Sequence, residues 1–474
     1  MIGLNLNKRS KTTSTQIKFT QLQTFITITY WNNITGQAID TFTMKYKSTT
    51  FYSAIFKDLH RVCRPSLRIP ALTFLLCTFI FLLRPNSAYS KEPPTKAKVW
   101  VGTWGTARQL VEPGNMPPAP GLTNNTLRQV VCVSIGGEKL RLKFSNEFSK
   151  SPVTMKVVQI AVSKGGSTID GSTTKTLKFN GRPEVTMEPG TEITSDPVSF
   201  NLEPRMEVAI TIAFGETSLT VTGHPGSRTT SYLLTGNNTS PDTDFTNAVK
   251  TDHWYVINGI EVEANKPAAA AVVFGDSITD GRGSGTNKQD RWPDIFATAL
   301  QKNSSTKQVG VLNMGIGGNA VLRGGLGPTG LNRFDHDVLK QNGVRWLIIF
   351  EGVNDLGGKK DSTAAADIAK NLINAFDKMI SEAHAKGIKV YGATITPIKK
   401  SFYYTEYSEA ARNTVNAWIR TSGKFDAVID FDKAIQNPAD PLSILPDAQS
   451  GDYLHPNELG YKMMGEYINL SLFK

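Results

Sequence analysis

Ala271-Val-Val-Phe274-Gly275-Asp276-Ser277-Ile-Thr279 is the stretch whose reading decides the fold of the second part of this 474-residue chain. It opens with apolar residues that do not alternate, as expected of a strand covered on both faces, and then breaks at a glycine into a polar turn. Further strands of the same kind are read downstream at 309–313, 346–350, 389–393 and 427–430. Helical patterns lie between them at 293–302, 364–386 and 408–421. Buried strands alternating with helices predict a three-layer α/β/α domain built on a parallel sheet, placed at 268–474.

Upstream the pattern changes. From 98 to 264 short runs alternate apolar and polar residues, as at 140–144, 155–162 and 208–214, and turn pairs such as Gly136-Gly137, Asn180-Gly181 and Pro189-Gly190 separate them. Period-two runs with regular breaks predict an antiparallel β-sandwich of jelly-roll-like form. The segment 261–271, with Asn265-Lys-Pro267 and an alanine run, reads as the junction between the two domains.

The formal net charge of +11 is concentrated at the N-terminus. Residues 1–90 hold eleven Lys or Arg and two Asp or Glu, a balance of +9, which leaves +2 for the remaining residues. A nearly neutral body gives no electrostatic reason to expect nucleic acid as a partner. Arg61, Arg64 and Arg68 precede a 15-residue apolar run, 69–83, and Ala88-Tyr89-Ser90 follows. That order is the layout of a signal peptide, read at 61–90 with cleavage near Ser90. The run is shorter than the ~20 residues a membrane span needs, so no stable anchor is expected after cleavage. Residues 1–60 read as an over-extended or disordered leader. Cys63 and Cys77 would leave with the signal, so Cys132 would remain alone, with no disulfide and no cysteine metal site.

The residues able to do chemistry gather where the predicted strands end, the place where open parallel sheets collect function. The first strand ends in Gly275-Asp276-Ser277, the second in Asn313-Met-Gly315-Ile-Gly317-Gly318-Asn319, and the third in Gly352-Val-Asn354-Asp355; Asp452-Tyr-Leu-His455-Pro-Asn457 stands near the C-terminus. A serine hydroxyl is a poor nucleophile at neutral pH and needs an adjacent base. Asp452, three residues before His455, is close enough to hold the imidazole in one tautomer and leave its other nitrogen for serine. Several other chemistries lack their motifs: no Gly-x-Ser-x-Gly elbow, no His-Glu-x-x-His and no Walker loop occurs. The stretch from Gly281 to Gly285 reads as a flexible loop at the site's edge, and Asp335-His336-Asp337 as a solvated helix face rather than a metal site.

These four ordered segments resemble the sequence blocks of the SGNH/GDSL hydrolase family, over roughly 271–474. The resemblance implies the flavodoxin-like SGNH fold, Ser277 as nucleophile, and Asp452 and His455 as its partners. It further implies an oxyanion hole made by the Ser277 and Gly318 backbone N–H groups and the Asn354 amide, with no metal and no cofactor. Taken singly, each residue has a plainer reading: Ser277 as a helix cap, Asn354 as a turn residue, His455 as a loop histidine, Asp452 as an acid at a helix entrance. The set in this order argues for chemistry.

The upstream domain, with its Trp100-Val-Gly-Thr-Trp104 start, and the segment from Arg333-Phe-Asp335 to Leu339 resemble a bacterial branch related to acetylxylan esterases. That resemblance implies a secreted or periplasmic serine esterase removing O-acetyl groups from a polysaccharide such as xylan. The alternatives are a broad short-chain carboxylesterase or lipase, and a non-catalytic glycan-binding protein. Phe402, Tyr403 and Tyr404 are candidate substrate contacts, through rings that stack on sugar faces, or else packing residues of a long loop. Trp292 is read as opening a helix against the core.

Overall fold

The computed structural model describes residues 14–19, 25–31, 38–45 and 97–474. The first three segments form an antiparallel sheet, Ser14–Phe19, Phe25–Trp31 and Ala38–Lys45, within a unit that ends at Pro94. These strands fall within 1–60, the stretch read as an over-extended or disordered leader. The stretch read as a signal peptide, with its cleavage site, lies outside the described residues.

Thr95–Lys474 is one compact unit with two architectures. The alternating segments become strands Gly137–Ser145, Val153–Ser163 and Glu207–Phe214, distributed over a five-stranded and a seven-stranded antiparallel sheet. Leu140, Leu142 and Phe144 of one sheet and Val158, Ile160, Ile210 and Ile212 of the other are buried in the same apolar core. This is the antiparallel β-sandwich. Gln109–Leu110, Thr222–His224 and Trp254–Tyr255 form a small third sheet.

The junction is tighter than expected. Strand Ile257–Asn265 sits inside the five-stranded sheet, and the next strand, Ala269–Gly275, begins four residues later. Ala268 through Ala271 are all buried, so the alanines mark close packing rather than a linker.

From Ala269 onward the chain forms a five-stranded parallel sheet of Ala269–Gly275, Val309–Gly315, Val344–Phe350, Lys389–Ala393 and Ala427–Ile429. Their spatial order is second, first, third, fourth, fifth, the flavodoxin-like order. The first crossover runs toward one edge and the later ones toward the other, so right-handed connections place helices on opposite faces. Helix Trp292–Lys302 packs with Glu458–Tyr467, and Ser362–Ala385 with Glu406–Thr421, which completes the α/β/α layering. Trp292 is fully buried at the start of its helix, against Phe350 and Phe431.

The second strand lies at a sheet edge, and the sandwich covers it. Val311 N donates to Ser134 Oγ at 2.9 Å, and Thr106 pairs with Asn313 as a parallel bridge. A single continuous core runs from Val101 and Trp104 in the sandwich to Phe473 at the C-terminus.

Candidate active site

Ser277 opens the four-residue helix Ser277–Asp280 directly after the first parallel strand, capped by the Asp276 side chain, which accepts from Ile278 N at 2.9 Å. Asn354 follows the third strand. These strands flank the point where the strand order reverses, and the nucleophile candidate and the amide face one crevice there.

Ser277 Oγ lies 2.8 Å from His455 Nε2, and His455 Nδ1 lies 2.6 Å from Asp452 Oδ2. The other Asp452 oxygen accepts from Leu454 N at 3.0 Å and His455 N at 2.9 Å. Burial pushes the Asp452 carboxyl up, but hydrogen bonds from His455 and Leu454 outweigh it and hold the group below the usual range. A carboxylate on Nδ1 keeps the proton there and leaves the Nε2 lone pair on the serine hydroxyl. Burial lowers the His455 pKa, opposed by Asp452 and reinforced by the Arg282 and Arg228 charges. The ring is therefore a neutral base at neutral pH.

The expected donors surround the same place. Ser277, Gly318, Asn354 and His455 all line a cleft of about 340 Å³. Among the described residues, neither the Ser277 nor the Gly318 N–H donates to another protein group. Gly318 has φ +68°, a conformation that glycine adopts without strain. The Asn319 carbonyl can only accept, so the Asn354 atom 2.7 Å from it is Nδ2. Asn354 Oδ1 then accepts from Tyr403 Oη at 2.8 Å. One Asn354 N–H remains for the cleft.

Tyr403 is thus a contact of the amide, a role the sequence reading did not assign, and its ring also lines the cleft beside Phe402. Phe402 is 70% exposed. Tyr404 packs against the apolar core and is not part of the cleft lining.

Beneath the serine lies a charged network centred on Arg333. Arg333 donates to Gly275 O at 2.8 Å, Met314 O at 2.7 Å and Glu351 Oε1 at 3.1 Å, tying together the ends of three strands. It also bonds Asp337 at 3.0 Å and Asn319 Oδ1 at 2.9 Å. Asp355 accepts from Val321 N and Leu322 N and so fixes the loop that carries Gly318. Burial, helped by Asp355 and Asp280, pushes Asp276 up to about 7, against the Ile278 N–H and Arg333. Glu351 is raised too, by burial and then by Asp276.

Two loop expectations are corrected. Asp337 is buried on Arg333, and His336 places its ring nitrogens 3.0 Å from Asp337 and 2.8 Å from Glu192 of the sandwich. Only Asp335 of that trio is the solvated residue expected. The 281–285 loop is fastened to helix Glu458–Tyr467, since Tyr461 Oη donates to Arg282 O at 2.6 Å and nearby Lys288 pairs with Glu458 at 2.6 Å.

The sandwich supplies the opposite wall through Gln109, Glu112, Asn115, Pro225, Gly226, Arg228 and His253. Gly226 comes so close that a Cβ there would lie 1.9 Å from Asp280 Oδ2. His224 beside it bonds Ala107 O through Nδ1 and Asp280 Oδ1 through Nε2, both at 2.8 Å. Both ring nitrogens face oxygen atoms, and the pair is buried. None of these wall residues belongs to a recognisable sequence motif.

Residues 273–463 match the model of the GDSL-like Lipase/Acylhydrolase family. Among solved structures, the chain is similar to a G-D-S-L family lipolytic protein from Desulfitobacterium hafniense DCB-2. Identity is 23%, over 42% of this chain and 97% of the other, with a TM-score of 0.32. It is also similar to the acetyl xylan esterase AlAXEase, at 22% identity over 42% of this chain and 96% of that one, TM-score 0.31. For Axe2, an acetylxylan esterase from Geobacillus stearothermophilus, the figures are 18%, 42%, 92% and 0.32. No curated protein matches the chain.

Proposed function

We propose that this protein is an exported serine esterase that removes O-acetyl groups from a polysaccharide such as xylan. The observation that carries the reading is the Ser277–His455–Asp452 relay, which opens onto a cleft whose two unused backbone N–H groups and one amide N–H are free to receive an oxyanion.

In this mechanism His455 Nε2 takes the Ser277 proton as Oγ attacks the ester carbonyl. Asp452 stabilises the imidazolium, and the proton then passes to the leaving sugar hydroxyl. The negative charge on the tetrahedral oxygen meets Ser277 N–H, Gly318 N–H and Asn354 Nδ2–H. Water, activated by the same imidazole, releases acetate from the acyl-serine.

The polysaccharide assignment draws on a cleft walled by two domains and on the exposed Phe402 ring at its edge, suited to a sugar face. A broad short-chain carboxylesterase is the second reading, favoured by Leu326 and Leu454 in the same lining. Export rests on the basic, apolar and small-residue order before Ser90.

The test is labelling with a fluorophosphonate together with a panel of acetylated xylan, p-nitrophenyl acetate and longer acyl esters. Ser277→Ala should lose labelling and turnover and keep its melting temperature. Wild-type activity in that variant would end the assignment. Preference for longer acyl chains over polymer-bound acetate would favour the second reading.

A further inference from the structure

The donors aimed at the oxyanion, Ser277 N–H, Gly318 N–H and Asn354 Nδ2–H, follow three different strands. At the switch point of a parallel sheet such segments diverge toward opposite faces. Something has to hold them at a common spacing. Arg333 spans that gap: it lies on the short helix Gly330–Phe334, 4% exposed, with its guanidinium 4.0 Å from the centre of the Phe274 ring. It is not among the residues that line the cleft.

A guanidinium carries five N–H groups in one rigid plane, and all of them are used here. Nη2 serves Gly275 O, two residues before Ser277, and Glu351 Oε1, three residues before Asn354. Nη1 serves Met314 O, on the strand that leads to Gly318, and Asp337 Oδ2. Nε serves Asn319 Oδ1, and the backbone carbonyl of the same Asn319 takes the Asn354 amide at 2.7 Å. Glu351 carries the tie onward, since its other oxygen accepts from Gly352 N at 3.2 Å. Of these acceptors only Asp337 lies outside the segments that bear the donors. Asp337 and Glu351 alone would satisfy an arginine whose task was to balance charge. The bonds to Gly275 O, Met314 O and Asn319 Oδ1 instead fix peptide groups beside the donors. Such fixing matters because oxyanion donors act by standing in place before the charge develops.

We propose that Arg333 is the positioning residue of the oxyanion hole, its planar fork setting the spacing of the Ser277 N–H, the Gly318 N–H and the Asn354 amide without touching the substrate. The proposal rests on the esterase reading and adds to it a side chain outside the cleft on which the transition state depends.

The test is Arg333→Lys in the full chain, which keeps the buried charge and loses the fork. With p-nitrophenyl acetate, well below the melting temperature, kcat should fall by about thirtyfold or more, approaching the loss of a whole donor. KM should stay within about threefold, because the ground-state ester makes little use of the hole. Inhibition by an aryl trifluoromethyl ketone, whose adduct with Ser277 bears an oxyanion, should weaken by a factor similar to the fall in kcat. The acid limb of the rate profile should keep its midpoint, because Asp452 and His455 are held by bonds of their own. In an Asn354→Ala background the lysine change should cost less than in the wild type, since one of the donors it positions is already gone.

A kcat within about threefold of wild type, or a loss confined to KM, would overturn the role. So would a displaced acid limb, which would place the damage in the triad, or an undiminished cost beside Asn354→Ala. Should lysine prevent folding, Asn319→Ala decides by the same measurements: it removes the Nε acceptor while the arginine keeps its ion pairs, and an unchanged kcat there would overturn the role as well. A wild type that hydrolyses no ester removes the esterase reading and this role together, whereas turnover that survives the lysine change removes the role alone.

Discussion

Replacing Tyr403 by phenylalanine tests whether the Asn354 amide must be held in one orientation. The change removes a single oxygen, the one 2.8 Å from Asn354 Oδ1, and leaves the ring beside Phe402. The amide keeps its bond to Asn319 O but loses the contact that opposes rotation. A lower bound on the effect is the net worth of one hydrogen bond, about 0.5–1.5 kcal/mol. The upper bound is the loss of a whole oxyanion donor, about 3–4 kcal/mol. A loosened amide falls between them, near 1–2 kcal/mol, which is a fall in kcat of roughly five- to thirtyfold. The deficit belongs in kcat, because the oxyanion exists only in the transition state. Steady-state kinetics on p-nitrophenyl acetate, with Asn354→Ala alongside and melting curves for both, would measure it. A Tyr403→Phe enzyme within twofold of wild-type kcat while Asn354→Ala is crippled would refute the positioning argument. So would a loss confined to KM.

Other outcomes follow from the same geometry. Imidazolium cannot accept the serine proton, and burial holds the His455 pKa below its ordinary value, so the acid limb of kcat/KM should have its midpoint below about 6.5. A midpoint at 7 or above would contradict that environment. His224→Ala leaves the buried Asp280 Oδ1 without its hydrogen bond and should destabilise by about 1–3 kcal/mol in denaturant titration, whereas a cost under about 0.5 kcal/mol would mean the contact is dispensable. Asp276→Asn keeps the helix cap and removes a carboxyl whose folded pKa is raised to about 7. The folded wild type holds this proton where the unfolded chain has lost it, so this group's contribution should make wild-type stability decline from about pH 4 to about pH 7 and level off above that. The melting temperature of the variant relative to wild type should accordingly be higher at pH 8 than at pH 5; a pH-independent difference would rule the linkage out.

Much of the parallel sheet was legible because strands buried on both faces are written as unbroken apolar runs, and 389–393 coincides with Lys389–Ala393. Asp452 and His455 were readable as a pair because three residues suffice to join them. Other features were hidden for physical reasons. The alanine run at 268–271 reads as weakly apolar, yet small side chains are what close packing across the junction requires. Asp337 looked solvated because its charge is matched by Arg333 one helical turn earlier and by a histidine that reaches the other domain. The Arg228, His253 and Gln109 wall comes from segments far apart in sequence, brought together only by sandwich topology. Tyr403 stood among the residues singled out for sugar stacking, but its partner, 49 positions away, leaves no local trace.

The way Ser134 and Thr106 occupy the open side of strand Val309–Gly315 bears on how such a protein can be inherited. An α/β piece cut free at Ala269 would present unpaired backbone donors and acceptors along that border, an invitation to intermolecular pairing and insoluble product. Recombination that traded the sandwich for an unrelated module would have to supply a new seal for this border as well as a new cleft wall. Cutting the chain at the junction therefore costs the α/β part a sheet border as well as a cleft wall.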